Sequence, residues 1–201
     1  MKKRLGPSDR LYPMPCPLVV GGSGEQVDTL AVAWIGIAAG SPPSVAMALR
    51  DTRHTLALIR DGREFTVNIP ATRLAAEVDF CGITSGKATD KFAATGLTLV
   101  PAAVVSTPII AECPYNMECR VTHEVDIGHY TLVVGEVVET HADEHVLDAT
   151  GEKVDVGLLD PLVYIAGSRE YRALGPVVAD AFSIGRSIAA PDAEQDGGTG
   201  S

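Results

Sequence analysis

The sequence predicts a mainly β domain, a β-barrel with a few helices on its periphery. Two observations predict this fold class. Short segments of strand composition recur along the chain between glycine and proline residues, and only a few helical segments lie between them. Strands and helices do not alternate regularly, which argues against a doubly wound parallel sheet.

The predicted strands are apolar or β-branched segments that end at turn residues. Residues 17–20 lead into the glycine-rich stretch 21–24, which we interpret as a turn. Pro70 ends a further strand, and Gly128 joins the two arms of the clearest hairpin. The remaining strand segments are residues 28–37, 44–50, 64–69, 118–127 and 130–140.

Three helices are predicted between these strands. Residues 54–60 and 73–80 carry apolar side chains at helical spacing, and Thr72 is a suitable N-cap for the second helix. Residues 89–95 end at Gly96, a common helix stop. We predict one domain over residues 1–188, followed by a disordered tail of small and polar residues over 189–201.

Composition limits the function classes. The chain has 201 residues and a formal net charge of −10, which argues against a nucleic-acid surface. The longest apolar runs are far shorter than a membrane span, so no membrane partner is predicted. The basic start, Met1 to Arg4, is not followed by an apolar segment, so we expect a cytoplasmic protein.

Several local patterns resemble functional motifs only in part. Residues 82–88 have one spacer fewer than a P-loop, and Ala88 has no hydroxyl for magnesium. His141 and His145 stand four residues apart in an acidic, polar stretch, which favours a solvated surface over a metal site. The cysteines form no C-x-x-C pair, and we expect buried thiols at Cys16, Cys81, Cys113 and Cys119.

One ordered set of segments carries a more specific signal. The set consists of the strand with Trp34, the turn Ser41-Pro42-Pro43, the strand that ends in Arg50, the turn Arg53-His54-Thr55, residues 65–70, and Asp90-Lys91-Phe92. In this order the segments resemble the flavin-reductase-like family, most closely its flavoredoxin branch, from about Lys3 to about Gly175. This resemblance implies a six-stranded antiparallel split β-barrel with peripheral helices, and a homodimer that holds FMN near the subunit interface.

The residues of these segments offer the groups that the phosphate of FMN would bind. Arg53, His54 and Thr55 lie where a strand passes into a helix, so they offer charge, a hydroxyl and helix N–H groups to a phosphate. Lys91 comes from a separate segment and is placed to meet the same anion. The complete predicted cofactor set is Asp28, Ala31, Val32, Ala33, Trp34, Ser41, Arg50, Arg53, His54, Thr55, Lys91 and Tyr164.

The aromatic members of this set have two interpretations. The resemblance places Trp34, the only tryptophan, beside the flavin ring, whereas a lone tryptophan is more often a core or interface residue. Tyr164 is equally consistent with a flavin contact and with a core aromatic. Family members often have Asn at Asp28 and Thr at Ala31, so we expect the flavin affinity and redox potential to differ from theirs.

Three functional classes follow. The protein is an NAD(P)H-dependent flavin reductase, an electron carrier whose tightly held FMN is reduced by a redox partner protein, or a non-enzymatic split barrel for another ligand. Hydride arrival at a flavin needs no acid–base side chain, so we predict cofactor-binding residues, no catalytic residue and no metal site.

Overall fold

A computed structural model describes residues 1–188, and the predicted tail over 189–201 lies outside them. Strands dominate the described part, as the sequence predicts. They are β1 (Met14–Pro15), β2 (Leu18–Ser23), β3 (Gln26–Ala31), β4 (Ile35–Gly40), β5 (Pro43–Arg50), β6 (Glu64–Ile69), β7 (Leu99–Val100), β8 (Ile109–Ile110), β9 (Tyr115–Ile127), β10 (Tyr130–Ala142), β11 (Val163–Ile165) and β12 (Glu170–Arg172).

The helices lie at the periphery. Helix α1 begins and ends close to its predicted bounds, and Gly96 terminates α3 in the left-handed conformation as predicted. The α-helices are α1 (His54–Gly62), α2 (Ala75–Ile83), α3 (Lys91–Thr95) and α4 (Val156–Leu159), with short 3₁₀ helices over Thr72–Leu74, Glu144–Val146 and Ile184–Ile188.

The main sheet has seven strands in the order β3-β2-β6-β9-β10-β5-β4, and every neighbouring pair is antiparallel. This confirms the mainly β split-barrel fold but gives one strand more than predicted. The added strand arises where the sequence suggested one segment, residues 28–37. The chain leaves β3 after Ala31 and starts β4 at Ile35, on the opposite edge of the sheet.

The sheet curls so that its two edge regions approach each other. The N–H of Val32 donates to the Pro17 carbonyl oxygen at 3.0 Å, and the N–H of Ala48 donates to the Trp34 carbonyl oxygen at 2.9 Å. Residues 32–34 therefore connect the start of β2 with β5. One apolar core fills the space enclosed by the sheet; its members include Leu30, Val32, Val45, Met47, Phe65, Val67 and Val133.

The glycine-rich stretch is not the turn that the sequence suggested. Strand β2 continues through Ser23, and the turn lies at Gly24 and Glu25. A Cβ atom on Gly21 would lie 2.7 Å from Ile59 and 3.0 Å from the carbonyl oxygen of Thr55. Helix α1 thus packs directly on the backbone of β2, which fixes the position of its N-terminus.

A second core lies between the sheet and α2. It contains Leu18, Val20, Val78 and Cys81 among other buried residues. Thr72 is not the N-cap of this helix, so that prediction is wrong. It starts a 3₁₀ turn, and its hydroxyl bonds the carboxylate of Asp160 instead.

Candidate functional site

Helix α1 begins without a side-chain cap. Its N-cap residue is Arg53, which accepts no hydrogen bond, and no acidic residue lies in the first turn. Helix N-termini carry partial positive charge and unpaired N–H groups, so Ser, Thr, Asp or Asn normally occupy this position. A cationic residue there raises the local positive potential. The arrangement is that of an anion site.

A cleft opens at this helix end between β3, α1 and the loop after α2. Two arginines give it positive charge, and neither has a carboxylate partner among the described residues 1–188. Arg53 Nη1 donates to the Gly82 carbonyl oxygen at 3.4 Å, and Arg50 Nε donates to the Tyr130 hydroxyl at 2.9 Å. The residues that line this phosphate cleft are Asp28, Leu30, Arg50, Thr52, Arg53, His54, Thr55, Thr84, Ser85, Gly86 and Lys91.

Lys91 and Asp28 form a buried ion pair in the wall of the phosphate cleft. Lys91 Nζ lies 3.2 Å from Asp28 Oδ1, and the two side chains are 3% and 5% exposed. Lys91 Nζ also donates to the Thr29 carbonyl oxygen, and Thr55 Oγ1 donates to Asp28 Oδ2 at 2.5 Å. As a unit the pair is neutral, so the uncompensated charge of the cleft comes from the two arginines.

Gly86 lies against Asp28 in the same wall of the phosphate cleft, where a larger residue has no room. A Cβ atom at this position would collide with all three carboxylate atoms of Asp28. The loop therefore approaches the carboxylate as closely as a backbone can, which only glycine permits.

A second cleft, the ring cleft, continues from the first. Its aromatic pair is Trp34 and Tyr130, with ring centroids 5.0 Å apart and planes inclined by 30°. The guanidinium carbon of Arg50 lies 5.5 Å from the centroid of the Tyr130 ring. The lining residues are Leu30, Ala31, Val32, Ala33, Trp34, Ala48, Leu49, Arg50, Arg53 and Tyr130.

The two clefts are contiguous because both are lined by Leu30, Arg50 and Arg53. Trp34, 37% exposed, presents aromatic surface at one end, and the helix N-terminus presents positive charge at the other. This combination fits a ligand with a flat apolar ring and a phosphate.

Ten of the twelve predicted cofactor residues line one of these clefts, and two do not. Ser41 is exposed at the tip of the β4–β5 hairpin, whereas Trp34 and Arg50 lie at its other end, roughly 20 Å along the strands. Tyr164 lines a separate cleft, but Ala31 and Ala33 belong to the walls of both.

Tyr130 and the loop residues Thr84 and Ser85 line the clefts but are not among the predicted cofactor residues. Tyr130 pairs directly with Arg50 across β10 and β5, a register that the chain pattern alone did not reveal. The loop residues lie in the segment that we compared with a P-loop. Its glycine and hydroxyl side chains were the available signal, although the motif itself does not match.

The histidine and cysteine predictions have mixed outcomes. His141 is not simply solvated, because its Nε2 lies 2.6 Å from the buried carboxylate of Glu118, whereas His145 is exposed beside Asp143. Among residues 1–188, no three His, Cys, Asp or Glu side chains are grouped as metal ligands. All four cysteines are free and buried as predicted, and burial raises the pKa of Cys16 to about 12 and of Cys81 to about 11.

No helix within the described residues is long and apolar enough to cross a membrane.

Comparison with known proteins agrees with this architecture. Residues 9–175 match the model of the flavin reductase like domain. Flavoredoxin of Desulfovibrio vulgaris (Miyazaki F) is 37% identical, with a TM-score of 0.86 over 92% of this chain and 100% of its own. Flavoredoxin from Methanosarcina acetivorans is 26% identical, with a TM-score of 0.86 over 94% of this chain and 100% of its own.

A curated relative shows the same similarity in sequence. An uncharacterized protein of Archaeoglobus fulgidus is 37% identical over 134 residues, which cover 66% of this chain and 75% of that protein. Since the domain model spans most of the chain, the protein belongs to the flavin-reductase-like family.

Proposed function

We propose that the protein is an FMN-binding redox protein that holds the flavin phosphate at the N-terminus of α1 and the isoalloxazine in the ring cleft. The observation that carries the proposal is the uncapped, arginine-bearing helix end that continues into an aromatic cleft. The chain is acidic overall, yet two arginines in this cleft have no carboxylate partner among residues 1–188, so their positive charge is available to an anionic ligand.

Each part of the cleft has a defined task in this proposal. The N–H groups of the first turn of α1, with Arg50 and Arg53, bind the phosphate dianion. Trp34 and the backbone of residues 31–33 shield the ring from water. When bound, FMN supplies the electron-accepting chemistry, and the protein positions it and sets its environment.

The flavoredoxin similarity favours an electron carrier with tightly held FMN. That relative is similar over nearly the whole of this chain, and its name denotes a redox flavoprotein. A second candidate is an NAD(P)H-dependent flavin reductase. The cleft beside Tyr164 favours this candidate, because it offers space next to the ring cleft for one planar ring, such as the nicotinamide of the donor.

We also propose a homodimer formed through the edge strand β4. Five of its six residues are exposed, and Ile37 is 71% exposed. An uncovered edge strand with small and apolar side chains is a ready surface for association. A second copy on this edge would also explain a cofactor role for Ser41, which lies far from the clefts of its own chain.

The absorption spectrum of the purified protein tests flavin binding. We expect stoichiometric FMN, identified after release by its mass. A colourless protein that does not take up added FMN would contradict the proposal and would leave a split barrel for another ligand.

Anaerobic mixing of the FMN-loaded protein with NADH or NADPH separates the two candidate activities. The FMN of an electron carrier is reduced slowly or not at all by either nucleotide. The FMN of a reductase is reduced, and its visible absorption lost, within the time of one catalytic turnover. Turnover with excess free FMN then shows whether the flavin is a substrate or a bound cofactor.

A further inference from the structure

A third cleft adjoins the ring cleft along residues 31–33. Ala31 and Ala33 belong to both walls, and each side chain is a single methyl group. A ligand in this cleft is therefore separated from the occupant of the ring cleft by very little protein. The lining residues of this tyrosine cleft are Cys16, Ala31, Ala33, Asp79, Gly82, Ile83, Tyr164, Arg169 and Tyr171.

Two tyrosines form its aromatic surface. Tyr164 and Tyr171 are direct partners in the β11–β12 ladder, with ring centroids 5.7 Å apart and planes inclined by 47°. The Tyr171 hydroxyl donates to Asp79 Oδ1 at 3.0 Å, which fixes that ring against α2. Burial raises the pKa of Tyr171, so its hydroxyl stays protonated and keeps donating this bond. Ile83, 77% exposed, adds an apolar rim.

Arg169 supplies positive charge to the same cleft. It lies in the turn of the β11–β12 hairpin, where its N–H donates to the Ile165 carbonyl oxygen at 2.8 Å. Its guanidinium has no hydrogen bond or ion pair with any residue that the structure describes, whereas Arg172 on the same hairpin pairs with Glu170 at 2.8 Å. The cleft thus combines stacked aromatic rings with a cation available to a ligand.

We infer that the tyrosine cleft binds a planar aromatic anion, of the aryl carboxylate class, next to the flavin. Aromatic rings stack on tyrosine, and a planar guanidinium pairs with a carboxylate. The cavity volume of about 290 Å³ lies at the small end of ligand sites, which suits one ring better than a whole dinucleotide. This inference rests on the proposed FMN site and adds an occupant beside it.

Asp79 sets a limit on how the anion binds. Its carboxylate also lines the cleft, so a ligand anion must lie toward Arg169 and away from Asp79. Removing the Asp79 charge should therefore strengthen binding. The variant Asp79→Asn keeps an acceptor for the Tyr171 hydroxyl and removes only the charge.

Titration of the FMN-loaded protein with benzoate tests the inference, with the flavin absorption spectrum as readout. We expect a saturable spectral change that requires the negative charge, so that benzamide binds about tenfold more weakly. NAD⁺ and NADP⁺ form a second arm, because a nicotinamide dinucleotide also carries a planar ring and anionic groups. A response to a dinucleotide but not to benzoate would assign the cleft to a nicotinamide nucleotide and would overturn the inference.

Single substitutions test whether benzoate binds in the tyrosine cleft. Arg169→Gln should weaken binding about tenfold and leave FMN affinity unchanged. Arg172→Gln, the matched control on the same hairpin, should bind like the wild type, and Asp79→Asn should bind severalfold more tightly. Equal affinities for Arg169→Gln, Arg172→Gln and wild type would overturn the inference.

Two outcomes separate failure of the FMN site from failure of the tyrosine cleft. A protein that takes up no FMN overturns both the proposed function and this inference. An FMN-loaded protein whose spectrum does not respond to benzoate overturns this inference alone.

Discussion

Asp28 Oδ1 lies 3.2 Å from Lys91 Nζ, and the two side chains are almost completely buried in the wall of the phosphate cleft. The pair changes the role that the sequence suggested for Lys91. Lys91 pairs with a carboxylate of its own chain, so its positive charge is neutralised before any ligand binds.

Asp28→Asn should therefore increase FMN affinity severalfold. Lys91 would keep the Thr29 carbonyl oxygen as a partner, while its charge would no longer be neutralised. Fluorescence titration with FMN measures the change. Riboflavin, which lacks the phosphate, is the control ligand, and an equal gain for both flavins would contradict this account of Lys91.

Gly86→Ala should weaken FMN binding and lower stability. The added methyl group has no room beside the Asp28 carboxylate, so the loop or the ion pair must move. We expect a loss of about 1–3 kcal/mol in the free energy of unfolding. Gly62→Ala, where the methyl group meets open space, is the matched control. If both variants bind FMN like the wild type, the close approach is irrelevant to the site.

Trp34 emission should be strongly quenched when FMN binds, because the isoalloxazine position that we propose in the ring cleft lies next to this indole. As the only tryptophan, it reports from one place. Trp34→Leu should weaken FMN and riboflavin binding to a similar extent, since the lost contact is to the ring. Unchanged emission at saturating FMN would argue against the ring cleft as the isoalloxazine site.

Ile37→Glu should dissociate the proposed homodimer by placing a charge on the exposed edge strand. Light scattering over a dilution series measures the assembly, and Val125→Glu changes a comparably exposed residue elsewhere as the control. A wild-type protein that is already monomeric at micromolar concentration would rule out this interface and leave Ser41 without a cofactor role.

Acid should destabilise the fold partly through Glu118. Burial alone raises its pKa, but hydrogen bonds from His141 and from the N–H groups of Ala103, Val104 and Val105 outweigh burial and lower it overall. The folded-state pKa therefore lies below the unfolded value of about 4.3, so this stabilisation is complete above that pH and is lost as pH falls.

Urea unfolding at several pH values checks the acid prediction. Glu118→Gln should lose about 1–3 kcal/mol at neutral pH, because at least one loop N–H loses its acceptor. Its unfolding free energy should also fall less steeply below about pH 4.3 than that of the wild type. Parallel curves for the two proteins would show that Glu118 does not carry the acid response.

The local elements could be predicted from sequence because their signals are local. The Gly128 hairpin and the α3 stop at Gly96 depend on a few adjacent residues, and both are present. The break between strands β3 and β4 at residues 32–34 could not be predicted, because it is set by hydrogen bonds to Pro17 and Ala48, which are distant in sequence. The role of Tyr130 could not be predicted for the same reason, because the residue lies at the site only through its register opposite Arg50.

The site was predicted best where one segment carries several functional groups. Arg53, His54 and Thr55 are adjacent and share the start of α1, so their common cleft follows from local structure. The Asp28–Lys91 pair joins residues more than sixty positions apart, and its buried geometry was not visible in the sequence.

The central claim is that the N-terminus of α1, with Arg53, binds the phosphate of FMN. Its most direct test compares the affinities of FMN and riboflavin for the wild type and for Arg53→Gln. We predict that the variant loses about tenfold or more in FMN affinity, the value of a charge-assisted hydrogen bond, while riboflavin affinity stays the same. Equal losses for the two flavins, or no loss for FMN, would contradict the account.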